Sequence, residues 1–238
     1  MLAVHRQGWL ATDKPGDLIA HFKAFTSDKA LDLPRAQSVN FLLSLPRLTL
    51  LPDVLYQQGT GEQILKNTCR LEEDDLVLSD FLSHRDVALL YAINQDLHRH
   101  LAGTNSEVKL AHNGYGLNLL SRRLKKDKDF ALLTISESFA ELLIIEGGKL
   151  VFYNQFPQDV PEDLLYYVLF VIEQNRILAP EFKLYISESS AIDLQPVKVL
   201  LTRYIGTVEE LPTTNLTRNQ FQYPQKEIRS IANLLALV

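Results

Sequence analysis

A few groups of residues in this chain have the types that chemistry requires, and their spacing decides whether each could work. His84-Arg85-Asp86 spells the core of a kinase catalytic loop, in which the aspartate takes a proton and an asparagine five residues on holds a metal. Here that position is Tyr91, no Asp-Phe-Gly follows and no glycine-rich loop precedes, so the segment reads as a polar turn before an apolar strand. Gly59-x-Gly61 and Gly114-x-Gly116 are the Gly-x-Gly pairs, and neither has the third glycine of a dinucleotide loop. No Walker-type phosphate loop and no Gly-x-Ser-x-Gly nucleophile elbow occurs. Of the six histidines (His5, His21, His84, His98, His100, His112), His98 and His100 lie two apart on a predicted helix and point away from each other. The run Glu72-Glu73-Asp74-Asp75 has the oxygen ligands of a cation site, but consecutive acids in a polar loop read as solvated. Cys69 is the one cysteine, which excludes an internal disulfide and a cysteine-based zinc site.

What remains is a polar and aromatic set: Tyr153, Asn154, Tyr166, Tyr167, Glu173 and Gln174. On a helix, Tyr166, Phe170, Glu173 and Gln174 share one broad face, with Tyr167 about 100° around. Two readings stand. The helix packs on a sheet and its tyrosine hydroxyls find buried partners, or the set lines a polar cleft or partner-docking patch. Asn154, at a strand end, is the sharpest candidate, because a buried amide needs several partners.

The elements that must position these residues follow from periodicity and punctuation. Short strands are predicted at Leu2–Val4 and Gly8–Ala11, then a turn at Lys14–Asp17 and a strand over Leu18–Phe25, where Leu18, Ala20, Phe22 and Ala24 alternate. A helix is predicted after Pro34, with Val39, Leu42 and Leu43 on one side and Pro46 as its end. Strands at Arg47–Leu51, Leu76–Ser79 and Val87–Ile93 come next, with a helix at Gly61–Cys69 between them. Val87–Ile93 is nearly continuous in apolar residues, as in a strand buried on both faces. A helix at Asn94–Leu101, a strand at Val108–Ala111 and a helix at Gly114–Lys125 lead to the charged stretch Lys125–Asp129, the predicted boundary between domains 1–125 and 126–238. The first domain carries extra elements around 53–86.

The second half begins again with strands at Phe130–Ile135, Phe139–Glu146 and Lys149–Phe156. Gly147-Gly148 supplies the positive φ angles of a tight hairpin. Pro161, Glu162 and Asp163 open a helix to about Arg176, with proline in the first turn and acids at the positive end of the dipole. A strand at Leu184–Ser187, a helix at Pro196–Tyr204 and a strand at Val208–Leu211 follow. Ile228, Ile231, Leu234, Leu235 and Val238 recur at helical spacing. The order is a βββαβα unit used twice.

Composition narrows the function classes. The chain has 238 residues, 46% hydrophobic and 22% charged, an ordinary globular balance. Its net charge is −5, its pI is about 5.7, and its one basic cluster is Arg122, Arg123, Lys125, Lys126 and Lys128, so nucleic acid is not the expected partner. The longest apolar run, Leu164–Ile172, is about half of what spans a bilayer. The N-terminus lacks the pattern of a signal peptide, and a cytoplasmic location without membrane attachment is expected. Glycine is scarce, at 10 residues.

The stretch Leu150-Val151-Phe152-Tyr153-Asn154-Gln155-Phe156, followed by Glu162 to Gln174, resembles an uncharacterised Bacteroidota family, domain of unknown function 3822. Leu48–Pro52 and Leu71–Asp80 carry the same resemblance. It implies an α/β chain with a degenerate actin-like ATPase fold, the ribonuclease H-like plan of actin, Hsp70 and sugar kinases. Two lobes with mixed sheets are expected, related in plan to cytoplasmic scaffold proteins of pilus and secretion machines. No activity comes with the family. The start reads as short, as if the first strand were clipped.

Active members of that fold wrap ATP phosphates with two Asp-x-Gly hairpin turns and contact the adenosine with a Gly-Gly pair. The resemblance puts the first turn at His5-Arg6-Gln7-Gly8, the second at Thr134-Ile135-Ser136-Glu137-Ser138 and the adenosine segment at Ile186-Ser187-Glu188-Ser189. The first lacks its carboxylate, the second lacks both acid and glycine, and the third has gained a carboxylate. Losing about three charge-assisted hydrogen bonds removes on the order of 5–9 kcal/mol of phosphate binding. The expectation is therefore a pseudo-ATPase with no catalytic, metal or cofactor residues, whose partner is another protein, its oligomeric state left open. The alternative is a nucleotide-binding or phosphotransfer enzyme with an altered phosphate loop.

Overall fold

Pro15 has the fixed φ that suits a first helical turn, and it opens α1 (Pro15–Thr26) where alternation predicts a strand. The structure, a computed structural model, describes residues 15–27, 38–82, 86–103, 107–124, 128–188, 192–213, 216 and 225–237. The predicted strands at Leu2–Val4 and Gly8–Ala11, and the first expected phosphate turn, lie outside these residues. In α1 the inward residues are Ile19, Phe22 and Phe25, three apart, while Ala20 and Ala24 are exposed. Period three overrides period two because Phe22 has an aromatic partner to meet, its ring edge-on to Phe41 at 5.6 Å.

Phe41 belongs to β1 (Val39–Leu43), a strand where a helix is predicted. Val39, Leu42 and Leu43 satisfy helical spacing, but five residues are too few to separate a helix from a buried parallel strand. β2 (Leu48–Pro52), α2 (Gly61–Lys66), β3 (Asp75–Leu82), β4 (Val87–Asn94), α3 (Gln95–Ala102), β5 (Val108–His112) and α4 (Asn113–Arg123) follow. β1 and β5 pair in parallel, and β2, β4 and β3 form an antiparallel sheet in that order. Tyr91, at the position a kinase loop would give to asparagine, is a core residue of β4.

Asn94 shows how sharply an element can be started. Its Oδ1 accepts from the N–H groups of Asp96 and Leu97, which caps α3. The acidic run is also partly committed. Asp75 pairs with Arg47 through two contacts of 2.7 Å, and Asp74 accepts from Asn94.

The chain divides into two compact units, Met1–Tyr115 and Gly116–Val238. The second contains β6 (Phe130–Ile135), β7 (Phe139–Glu146), β8 (Lys149–Pro157), α5 (Pro161–Gln174), β9 (Lys183–Glu188), α6 (Gln195–Leu201), β10 (Thr207–Glu210), α7 (Gln225–Ser230) and α8 (Ala232–Leu235). The C-terminal helical pattern is therefore split at Ile231. The sheet order is β10-β9-β6-β7-β8, with β9 parallel to β6 and to β10, and β7 antiparallel to both neighbours. This is the mixed sheet that the βββαβα order calls for.

One face of that sheet meets α5 and α6 in an apolar core that includes Leu133, Leu142, Ile186, Leu164, Val168 and Leu201. The Gly147-Gly148 hairpin has φ of 57° and 78°, values a side chain would strain. α5 ends in a Schellman motif. Ile177 N–H reaches Ile172 O and Arg176 N–H reaches Glu173 O, both at 3.0 Å, with Arg176 at φ 58° where glycine is usual. Among the described residues no helix is long and apolar enough to cross a membrane.

Candidate functional site

The turn between β6 and β7 is where the second phosphate turn is expected, and the backbone of Ser136 there is already engaged. Ser136 is buried and its N–H donates to Phe139 O at 2.8 Å. Gln158, just past β8, donates its side-chain Nε2 to Ser136 O at 2.6 Å and its backbone N–H to Ser138 O at 3.0 Å. A phosphate cradle needs N–H groups aimed outward at an anion. Here Ser136 has its donor and its acceptor both engaged within the fold.

The expected adenosine segment is the end of β9, and α7 is bound to it. Glu188 is buried and receives Arg229 of α7 through Nε to Oε2 at 3.1 Å and Nη2 to Oε1 at 3.0 Å. Arg229 Nη1 reaches Glu210 of β10 at 2.9 Å, and Ser187 Oγ donates to Arg229 O at 3.3 Å. Burial works against the guanidinium charge, but the Glu188 hydrogen bonds and the two carboxylate charges outweigh it and raise the Arg229 pKa. Glu188 is a carboxylate where the nucleotide-binding members need glycine. The residues at both segments do not fit ATP.

A row of polar side chains crosses the same sheet on the face away from α5. Register pairs Ser187 with Thr134, Thr134 with Glu141 and Glu141 with Gln155. Glu141 is fully buried and accepts from Tyr153 Oη at 2.6 Å. Thr134 Oγ1 and Gln155 Oε1 are buried without a protein hydrogen-bond partner, a cost of about 1–3 kcal/mol each. Sequence reasoning missed Glu141, although its signal was present: a lone acid inside the apolar run Phe139–Ile145.

The six residues singled out from sequence do not form one cluster. Tyr153 joins Glu141 on the far face. Asn154 is half-buried, and its Oδ1 accepts from the N–H of the next residue, Gln155, at 2.8 Å. Tyr167 is half-buried and stacks on Phe156 of β8 at 4.6 Å. Tyr166 is exposed and stacks on Phe170 at 6.0 Å. Glu173 and Gln174 are exposed at the end of α5.

The first unit holds a second polar knot that no motif announces. His112 N–H donates to Asp80 Oδ2 at 2.6 Å, Tyr91 also hydrogen-bonds Asp80, and the Tyr91 and His112 rings lie 5.1 Å apart. The His112 Nδ1 accepts from Gly114 N–H at 3.0 Å, and Nε2 lies against the Leu45 backbone, 3.1 Å from its N and 2.9 Å from its O. Burial pushes His112 down to about 4. Burial also pushes Asp80 up to about 6, against the hydrogen bonds from His112 and Tyr91, and raises the Tyr91 phenol, helped by the Asp80 charge. The knot ties β3, β4 and β5 together and caps the start of α4 with a neutral ring. The His84-Arg85 part of the kinase-like triplet lies outside the described residues, and among those described no three His, Cys, Asp or Glu side chains gather as metal ligands.

Similar structures share this framework. A protein of Bacteroides thetaiotaomicron VPI-5482, described as having an actin-like ATPase fold and unknown function, superposes with a TM-score of 0.77 at 17% identity, over 92% of this chain and 80% of that one. A chain of the PilM–PilN type IV pilus biogenesis complex superposes with a TM-score of 0.63 at 15% identity, over 92% of this chain and 83% of that one. At such identities the likeness shows the fold, which is actin-like. No curated protein matches the sequence. The family model described as protein of unknown function DUF3822 matches residues 8–208, most of the length, and the chain belongs to that family.

Proposed function

We propose that this chain is a non-catalytic scaffold protein of the cytoplasm, a pseudo-ATPase that uses an actin-like fold to hold another protein. The observation that carries this is the Glu188–Arg229–Glu210 ion triad, which puts α7 and two carboxylates at the end of β9. A nucleotide there would have to displace Arg229 and then face the carboxylates it leaves, a repulsion on top of the lost pairing. The committed backbone of Ser136 points the same way. A role in protein assembly is supported by the PilM–PilN neighbour, whose fold serves within a complex with a protein partner.

The test is thermal unfolding of the full chain with and without Mg-ATP at millimolar concentration. A nucleotide at about 100 times its Kd would stabilise by roughly 2.7 kcal/mol, a shift of several degrees. We expect a change of under about 1 °C, the shift of a ligand whose Kd lies above the concentration used. A shift of several degrees would overturn the scaffold reading and favour a nucleotide-binding enzyme.

A further inference from the structure

We propose, resting on the scaffold reading above, that the outer face of α5 docks an arginine-bearing segment of another protein. Glu162, Tyr166, Phe170 and Glu173 stand at i, i+4, i+8 and i+11, within about 80° of the helix circumference. All four are exposed, Tyr166 at 62% and Phe170 at 45%. Two large aromatic side chains in water at adjacent turns are costly to leave uncovered. Their rings already stack, 18° from parallel. Tyr166 also meets Tyr167 edge-on at 5.3 Å, and Tyr167 in turn stacks on Phe156 at the margin of the core. The exposed pair is therefore held from beneath, and a ligand need not order it.

The charges on this face name the ligand. α5 contains no lysine or arginine, and among the described residues neither Glu162 nor Glu173 makes an ion pair. Glu162 sits in the first turn, where the helix dipole favours it. Glu173 sits in the last turn, where the dipole disfavours it and which holds no basic residue. The face is thus two free carboxylates, about 16 Å apart along the axis, bracketing a stacked aromatic pair. A guanidinium satisfies both parts, since it lies flat on ring faces and pairs bidentately with carboxylates, whereas an ammonium does so less well. A second copy of the chain does not fit. Two such faces, laid together in either direction, would set carboxylate against carboxylate at both ends, in a molecule of net charge −5. Alternate side chains of an extended segment face the helix, so arginines at i and i+4, about 14 Å apart, with an apolar residue midway match the stripe, the long arginine side chains covering the small difference.

The probe is a fluorescein-labelled peptide, Gly-Arg-Ser-Leu-Ser-Arg-Gly, titrated with the full chain by fluorescence anisotropy, beside versions with lysine or glutamate for both arginines. The arginine peptide should bind saturably with a Kd below about 1 mM at low salt, weaken as salt is added, and outdo the lysine version, while the glutamate version should not bind. The variants E162Q/E173Q and Y166A/F170A change exposed side chains only; unaltered circular dichroism will show that each is folded, and each should weaken binding by about tenfold or more. No saturable binding, or equal binding by folded E162Q/E173Q, overturns the proposal. Stabilisation by Mg-ATP would instead overturn the scaffold reading, whatever the peptide does. Failure of the peptide without an effect of Mg-ATP removes this surface and leaves the scaffold reading standing.

Discussion

Arg229→Ala is the substitution that best isolates the lock between α7 and β9. The two halves of the ion triad have very different surroundings. The Glu188 side chain is 1% exposed and that of Arg229 11%, whereas the Glu210 side chain is 32% exposed. Removing the guanidinium leaves Glu188 as a buried carboxylate without its counter-charge, which costs about 3–5 kcal/mol. The Glu210 contact, whose carboxylate is partly exposed, adds about 1 kcal/mol. For a chain of this size the sum lowers Tm by on the order of 10 °C. Removing both buried charges together, as Glu188→Leu with Arg229→Met, takes away the desolvation penalty along with the attraction and should be milder than Arg229→Ala alone. Urea unfolding followed by far-ultraviolet circular dichroism at pH 7, on Glu188→Leu, Arg229→Met and the pair, yields the coupling energy. A loss under about 1 kcal/mol for Arg229→Ala, or single-variant losses that simply add in the pair, would refute a desolvated lock at this position.

The remaining predictions concern the polar knot and one strained residue. Because folding holds His112 down at about 4, the unfolded chain binds a proton from about pH 6.5 while the folded one resists. Stability is therefore full above that pH and declines by about 3 kcal/mol as pH falls through 4. His112→Asn keeps an acceptor near Gly114 N–H and should flatten this acid limb in urea titrations from pH 7 to 4; an unchanged slope would sink the assignment. Asp80, raised to about 6, has the opposite sign: the folded state binds the extra proton between the ordinary carboxylate range and 6, and stability declines as pH rises through that window. Asp80→Asn should accordingly be about 2 kcal/mol less destabilising at pH 8 than at pH 4.5. Arg176→Gly relieves a side chain at φ 58° and should stabilise by about 1 kcal/mol in the same assay. A neutral or destabilising result would mean that Arg176 has contacts worth more than its strain.

The second unit was legible because its signals are redundant. β6 and β7 are apolar apart from Thr134, Glu141 and the terminal Glu146, Gly147-Gly148 can only be a turn, and Pro161 with two acids starts α5 unambiguously, so one misread residue could not displace an element. In the first unit the elements from β2 to α4 also stand where the sequence places them, and the start does not. α1 and β1 were exchanged in type because each satisfies the wrong period over a few residues, and what decides between the periods is a contact across the fold, Phe22 on Phe41. The candidate site divides along the same line. The stripe on α5 is readable from spacing within one helix. The pairing of Glu188 with Arg229 joins residues 41 positions apart, and that of Asp80 with His112 spans 32; neither has a local signature. Glu141 lies between, visible as an oddity in its strand but uninterpretable until β8 brings Tyr153 to it.

In the sequence, the departures at the Ser136 and Glu188 segments register as glycines missing at both, an acid lost at the first and a carboxylate gained at the second, and such changes are compatible with an altered loop that still meets a phosphate. Packing distinguishes the two cases. An altered loop would keep its N–H groups and charges directed outward, whereas here Ser136 N–H is bonded to Phe139 O, Ser136 O to Gln158, and Glu188 to Arg229. The side chains at these positions have partners within the fold, which supports the proposed reading without nucleotide. Positive-φ glycines persist at Gly59, Gly147 and Gly148, where an added Cβ would meet nothing within 4 Å and only the backbone angle requires them. Glycine thus stands where the chain must turn, while side chains with structural partners stand at the positions that the resemblance assigns to phosphate and adenosine.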